Sequence, residues 1–208
     1  MVAKSELLQK AYAVQTPEEV KNLYRDWASS YDKDLLSDNL SYVAPKEAVK
    51  VFARHFDNIS AHILDVGCGT GLSGQALASA GYKLIDGVDL SEEMLEQARL
   101  KGIYNSLFQA DLTAGLKVPD NHYDAVLSVG TFTHGHVGPE GLNEVIRVVK
   151  PEGIVCLTVN EGVYEKSNYP DKLEQLAEQQ ICSVAELVDA DYLAGENIRS
   201  KIACLKVT

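Results

Sequence analysis

Ile63-Leu64-Asp65-Val66-Gly67-Cys68-Gly69-Thr70-Gly71 reads as a short apolar strand that breaks into three alternate glycines, and the rest of this 208-residue chain is organised around it. Glycine tolerates backbone angles and close approaches that a side chain forbids. A glycine-rich turn leading from a strand into a helix lets the backbone touch a bulky ligand. Asp65 stands inside the motif, and a second acid, Asp89, ends the next apolar segment.

Downstream, strands and helices alternate. Residues 72–80 read as a helix and 83–88 as a strand. Ser91 caps a helix that runs through Ala98, with Glu92 and Glu93 in its first turn. Strands follow at 106–110 and 125–129. A helix over 140–149 has Leu142, Val145, Ile146 and Val149 as its apolar face. A strand at 154–159 and a helix at 171–180 come next. Two late strands, 185–190 and 198–207, have no helix between them and read as an antiparallel, hairpin-like ending. Repeated strand–helix units with apolar strands predict a mostly parallel α/β sheet covered by helices on both faces.

Upstream, Thr16-Pro17-Glu18-Glu19 is a helix start: a cap, a proline for the first turn, and acids at the positive end. Val20, Leu23, Tyr24, Trp27 and Tyr31 then share one helical face. Residues 46–56 give another helix through Ala48, Val49, Phe52 and Phe56. The expected organisation is an N-terminal helical cap, 1–57, on a core of 58–208. The connections are 57–61, 116–123 and 161–170, and the last is expected to carry or cover the active site.

Composition narrows the function. The charge is −11, from 30 acids against 19 Lys and Arg, with no basic cluster. That average field repels phosphate backbones, so a small-molecule substrate is favoured over nucleic acid. Met1–Lys10 carries Lys4, Glu6 and Lys10 with no long apolar run after it, unlike a signal peptide. No segment approaches the roughly 20 apolar residues of a membrane span. The expected compartment is the cytoplasm; the oligomeric state is open. Cys68, Cys156, Cys182 and Cys204 form no C-x-x-C and read as reduced thiols, two or three of them buried, with no metal site.

In such a sheet the ligand lies beyond the carboxyl ends of the strands. The unusual residues collect there: Asp65, Gly67, Cys68, Gly69 and Gly71; Asp89-Leu90-Ser91; Ala110-Asp111-Leu112; and Ser128-Val129-Gly130-Thr131. Asp89 can accept two hydrogen bonds from adjacent ribose hydroxyls, or serve as a first-turn helix acid. Asp111 can accept from an adenine amine. Leu90, Met94 and Leu112 can sandwich the adenine, although Met94 also suits a plain core position.

Gly69, Gly71 and Gly74 satisfy the G-x-G-x-x-G pattern of nicotinamide cofactors. That match starts two residues late, because the strand ends near Val66. Asp65 is also a poor neighbour for a doubly charged pyrophosphate. S-adenosylmethionine (SAM) has no phosphate and carries an ammonium and a sulfonium, which negative surroundings favour.

The sequence resembles the class I SAM-dependent methyltransferases over nearly its whole length. Leu64-Asp65-Val66-Gly67-Cys68-Gly69-Thr70-Gly71 matches their first motif, Asp89 their ribose-binding acid, Ala110-Asp111-Leu112 the adenine segment, and Tyr123-Asp124-Ala125-Val126 the opening of strand four. Val149-Lys150-Pro151-Glu152-Gly153 resembles the family's L-K-P-G-G turn, with Glu152 replacing a glycine. Within the family the chain looks most like the methyltransferase-like proteins of the Williams–Beuren-region group and their bacterial relatives. The pieces that carry this are residues 23–32, 130–137 and 156–160. The resemblance implies a Rossmann-like fold, SAM as cofactor and S-adenosylhomocysteine (SAH) as product. It also puts Tyr24, Trp27 and Tyr31 near the methionine end; as a helical stripe alone, they fit a core equally well.

Methyl transfer is an in-line displacement for which the protein supplies alignment and field. A base is needed only for a neutral hydroxyl nucleophile; O, N and S acceptors all remain open. Thr131, Phe132, His134 and His136 follow strand four, and either histidine can act as a base near neutral pH or simply shape the loop. Asn160 and Tyr164 follow strand five and can line the same mouth. Two readings stand beside methyl transfer: a SAM-binding regulator or partner protein that transfers nothing, and an NAD(P)-dependent reductase.

Overall fold

The computed structural model describes residues 6–14 and 16–208. The first five residues, part of the stretch read above as lacking a signal peptide, lie outside the described ones.

Strand parity builds the core. In β1 (His62–Val66), Ile63 turns to one face of the sheet, while Leu64 and Val66 turn to the other. β4 (Tyr123–Phe132) divides in the same way, with Ala125, Leu127 and Val129 against Val126 and Phe132. β5 (Val149–Asn160) puts Ile154 and Cys156 opposite Val155, Leu157 and Val159. Both faces are apolar, so both must be covered. α4 (Ala44–His55) and α5 (Leu72–Ser79) contribute to one core; α7 (Gly141–Arg147) and α9 (Tyr169–Glu178) contribute to the other.

With β2 (Leu84–Asp89), β3 (Ser106–Gln109), β6 (Cys182–Leu193) and β7 (Ile198–Val207), the strand order is β3-β2-β1-β4-β5-β7-β6. β3 through β5 are parallel neighbours; β7 runs antiparallel between β5 and β6. This is the expected Rossmann-like α/β fold, with an antiparallel hairpin at one edge. The order reverses between β1 and β4, which opens a crevice at their carboxyl ends.

Within residues 1–57, the last helix differs from those before it in what it packs on. α4 packs on β4, β5, β6, β7 and α5 and is a layer of the core. What precedes it is α1 (Glu6–Ala13), α2 (Pro17–Trp27) and α3 (Tyr31–Leu35). α2 begins with a capping box: Thr16 N donates to Glu19 Oε2 at 3.1 Å, and Glu19 N to Thr16 Oγ1 at 3.2 Å. α2 packs against α6 (Glu92–Leu100). The chain after α3 is tied to the end of β6, with Val43 N donating to Tyr192 O at 3.1 Å.

Residues 161–170, read from the sequence as a connection, hold a short helix and the start of the next one. Asn160 Oδ1 accepts from Gly162 N at 2.9 Å and caps α8 (Glu161–Tyr164), and α9 starts at Tyr169. All four cysteines are buried free thiols, more than the two or three expected. Among the described residues, no helix is long and apolar enough to cross a membrane.

Candidate active site

The glycine turn is pinned to the end of β2. Gly67 N and Cys68 N both donate to Val88 O, at 2.8 and 3.0 Å. Gly67 has φ +68°, and a Cβ there would lie 2.0 Å from Thr131 Oγ1. The turn therefore fits against β4 only with glycine at this position. Thr131 Oγ1 and Ser128 Oγ both donate to Val66 O, at 3.1 and 2.9 Å. They lock the ends of β1 and β4 together.

A cleft opens over this junction, lined by residues from the ends of β1, β2 and β4 and from the cap. Asp89 lines it with both oxygens aimed by backbone: Gly69 N donates to Oδ2 at 2.8 Å and Ser91 N to Oδ1 at 2.9 Å. Burial raises the carboxyl's pKa, and those N–H groups oppose the shift. Each carboxylate oxygen has a second lone pair to offer a ligand hydroxyl. Asp111 also lines the cleft; its Oδ1 accepts from Thr113 N at 2.8 Å and Thr113 Oγ1 at 2.6 Å, so both of those bonds fall on one oxygen. Leu90, Met94 and Leu112 supply apolar walls between these acids.

The opposite wall comes from the cap and the β4–α7 connection. Tyr24 and Tyr31 line the cleft with Val129, Thr131 and His136. His136 Nε2 lies 2.9 Å from Tyr24 Oη, and its Nδ1 lies 2.6 Å from His134 O. A carbonyl only accepts, so Nδ1 carries the ring proton of the neutral imidazole and Nε2 accepts from Tyr24. Burial holds His136 below its ordinary pKa and Tyr24 above its own. Both groups are therefore neutral near pH 7.

Asp65, Cys68, Gly71, Trp27, Ser128, Phe132, His134, Asn160 and Tyr164 do not line this cleft. Asp65 is fully buried behind the glycine turn, where it accepts from Ser73 Oγ at 2.6 Å and Tyr104 Oη at 2.7 Å. Burial pushes its carboxyl up to about 6. Cys68 turns toward Gly87, and Gly71 starts α5. Trp27 backs the two tyrosines, at 4.8 Å from Tyr31 and stacked on Tyr24 at 6.2 Å, with Nε1 donating to Asp34 Oδ2 at 2.8 Å. Phe132 belongs to the core beneath α7, and Tyr164 stacks on Tyr169 at 6.3 Å. His134 points away to Tyr12, 5.1 Å between ring centres, and toward Gly162. Asn160 Oδ1 caps α8, and its side chain also meets Tyr12.

Other residues that shape the site had weaker signals. Lys21 lines the cleft one turn before Tyr24, so helical spacing alone would have brought it forward. Tyr104 underlies the turn: a Cβ at Gly74 would lie 2.3 Å from its Oη. The third glycine of the apparent G-x-G-x-x-G thus makes room for a tyrosine, not for a pyrophosphate. Asp32 ties the cap to the turn, accepting from Thr70 Oγ1 and pairing with Lys101 Nζ at 2.6 Å. Among the described residues, no group of three or more His, Cys, Asp or Glu could hold a metal.

A family described as a methyltransferase domain matches residues 63–153. Methyltransferase-like protein 27 of Homo sapiens is 41% identical over 140 residues, covering 66% of this chain and 56% of that protein. A ubiquinone/menaquinone biosynthesis C-methyltransferase of Rickettsia massiliae is 32% identical over 165 residues, covering 72% of this chain and 65% of that protein. The matches thus span between about half and two thirds of the length of these curated relatives. The magnesium protoporphyrin IX methyltransferase of Synechocystis, solved with SAH, has the same fold, with a TM-score of 0.67 at 17% identity over 90% of this chain and 100% of that one. So does the [4+2]-cyclase SpnF, with a TM-score of 0.69 at 16% identity over 93% and 97%. The glycine turn and the two strand-end acids fall where the fold puts its ligand, and the chain belongs to the class I SAM-dependent methyltransferases.

Proposed function

We propose that this chain transfers a methyl group from SAM to a small organic acceptor. The observation that carries the reading is Asp89, fixed on both oxygens at a cleft floored by the glycine turn. The residues fit the cofactor. Asp89 takes the ribose hydroxyls, Leu90, Met94 and Leu112 the adenine, and Asp111 its amine. Gly67 and Gly69, with Tyr24 and Tyr31 from the cap, would hold the methionine end. Lys21 is the one cation lining the cleft among the described residues, and it offers a charge to the methionine carboxylate. SAM supplies an electrophilic methyl, and its sulfur takes back the bonding pair. The protein's share is alignment, exclusion of water by the cap, and management of the acceptor's proton. Within the family we place the chain with the methyltransferase-like group, which the 41% identity to the human protein supports.

Calorimetric titration tests the reading. SAM and SAH should bind with micromolar Kd. Tight NADH binding without SAM binding would overturn it. Methyl-labelled SAM added to metabolite extracts should then mark a small molecule. Label confined to protein would overturn the small-acceptor part. Tight SAM binding with no label in any extract would shift the weight to a regulator.

A further inference from the structure

The wall that carries Tyr24 and His136 has two sides. Tyr24, Tyr31, Gly130 and His136 line the cofactor cleft, and the same four line a chamber of about 30 Å³ behind it. We infer that this chamber is a water site, and that its waters are the outlet for the proton that a neutral acceptor loses when it is methylated in the cleft. His136 holds that proton and Tyr24 passes it through the wall. The inference rests on the proposed methyl transfer and adds to it that the acceptor arrives with a proton to lose.

Size and chemistry both fit water. About 30 Å³ holds roughly two water molecules and excludes an organic acceptor. A cavity of that size stays dry only where its lining is apolar. Here Tyr12, Tyr42, Thr133 and Tyr192 add hydroxyl side chains to the shared wall, and Trp27 with three aliphatic residues closes the rest. A Cβ on Gly130 would lie 2.8 Å from Tyr192 Oη and 3.2 Å from Tyr42 Oη, so both hydroxyls reach that wall. A buried water needs two to four polar partners, and this lining offers more. No Asp, Glu, Lys or Arg lines the chamber among the described residues, so no fixed charge there calls for an ion in place of water.

The cleft side offers one place to put a proton. Among the described residues, the titratable side chains that line it are Lys21, Tyr24, Tyr31, Asp89, Asp111 and His136. Asp89 and Asp111 are assigned to the cofactor, and Lys21 is a cation. Burial holds Tyr24 and Tyr31 in their protonated forms. That leaves the neutral His136. With cofactor and cap over the cleft, water is excluded on that side, so a proton held there needs another way out.

Tyr24 supplies that way out because it lines both sides. Its Oη donates to His136 Nε2 at 2.9 Å, and the contact of Nδ1 with His134 O fixes that tautomer. For a hydroxyl acceptor, the oxygen gains the methyl and sulfur keeps the bonding pair. The acceptor's proton passes to Tyr24 Oη, and Tyr24's own passes to Nε2. The products are a methyl ether, SAH and a protonated His136. Nε2 then returns its proton to Tyr24, which gives one up to a chamber water. Burial raises the pKa of Tyr42 and Tyr192, so these hydroxyls stay protonated and relay a proton without losing one. Tyr12, Thr133 and Tyr192 are only partly buried, and the proton leaves to solvent on their side.

Crystals of the whole protein with SAH, grown at pH 7 and pressurised with xenon, test the water site. Ordered water bridging two of the tyrosine hydroxyls is expected, with no xenon in the chamber. Xenon there, or a chamber without ordered water, overturns the inference, since a dry apolar cavity takes up xenon. Thr133→Val and Tyr192→Phe test the outlet. Each removes a chamber hydroxyl at nearly constant volume, and neither residue lines the cofactor cleft. With methyl-labelled SAM and metabolite extract, the rate of label transfer at saturating SAM should fall about tenfold or more, as loss of proton management does. The SAM concentration that gives half that rate, and the Kd for SAH, should hold. An unchanged rate in both folded variants overturns the outlet. The xenon comparison on the wild type stands whether or not the variants fold. Failure of wild-type SAH binding, or no label in any extract, would instead overturn the methyl-transfer reading beneath it.

Discussion

Asp65 and Asp89 are both acids at strand ends beside the same glycine turn, yet they face opposite ways. Leu64 and Val66 share one sheet face, so Asp65 must turn to the other, beneath α5, where Ser73 and Tyr104 meet it. Strand parity made that legible; reading the acid as part of the ligand-binding turn passed over it. Asp89 stands at the very end of β2 and reaches the cleft. Asp89→Ala should therefore lower SAH affinity by tenfold or more in calorimetry, since bonds to a charged group are worth about 1.5–3 kcal/mol each. Unchanged affinity in a folded variant would sink the ribose assignment. Asp65 should show itself in stability instead. Its folded pKa, raised to about 6, lies above the unfolded value, so the folded state binds the proton more tightly and stability falls as pH rises between about 4 and 6. Asp65→Asn removes that titration. Relative to the wild type, its thermal stability should improve across that window by on the order of 2–3 kcal/mol and then level off. A difference between the two proteins that does not change with pH would refute this. The two histidines teach a related lesson. Gly135, at φ +70°, turns the loop between them, so sequence spacing could not say which one reaches the cleft. It is His136, and its lowered pKa predicts that kcat/KM for a hydroxyl acceptor falls only below about 6.5, the ordinary histidine value. The other titratable groups facing it are Tyr12, Tyr24, Tyr31, Tyr42 and Tyr192 from the cap and β6, His134 in its own loop, and Lys21, Asp89 and Asp111 across the cleft. The tyrosines named with raised values stay protonated through this range.

The elements were largely legible because each core strand is apolar and each helix has one apolar face. A hairpin-like ending leaves open which of its two strands joins the sheet, yet the residues hold a signal. Ile202-Ala203-Cys204-Leu205 is a continuous buried run suited to a central strand, whereas β6 alternates and carries Glu186, Asp189 and Asp191, as an edge does. The aromatic stripe of α2 and α3 was readable as either core or cofactor wall, and its residues divide: Tyr24 and Tyr31 line the cleft while Trp27 packs behind them. These helices touch the glycine turn through Asp32, which joins Thr70 to Lys101. Ligand in the cleft should therefore stiffen them. Hydrogen exchange across residues 17–35 should slow several-fold with SAH bound, and Asp32→Ala should weaken that protection. Equal exchange with and without SAH would make the stripe a permanent core element.

Charge at the level of the whole molecule bears on what can reach the site. The −11 average could still hide a basic patch, but the ion pairs argue against one. Arg54 is engaged by Glu186, Arg99 by Glu92, Arg147 by Glu144 and Asp120, Lys150 by Asp124, Lys172 by Glu140, and Lys201 by Asp189. Most of these pairs are exposed, and such pairs add little stability each, about 0–1 kcal/mol. Their larger effect is that much of the positive charge is already neutralised where it sits. At the cleft, Asp89 and Asp111 outnumber Lys21, so a polyphosphate approaching the site meets a net negative wall. A fluorescently labelled 20-nucleotide RNA should therefore show no saturable anisotropy change at about 0.15 M salt, where the Debye length is about 8 Å and only close charge pairing survives. Any signal at low salt should vanish steeply as salt is added, as counterion release requires. Saturable binding that persists at 0.15 M salt would mean the paired lysines and arginines rearrange to meet phosphate, and the small-acceptor assignment would have to give way to a nucleic-acid substrate.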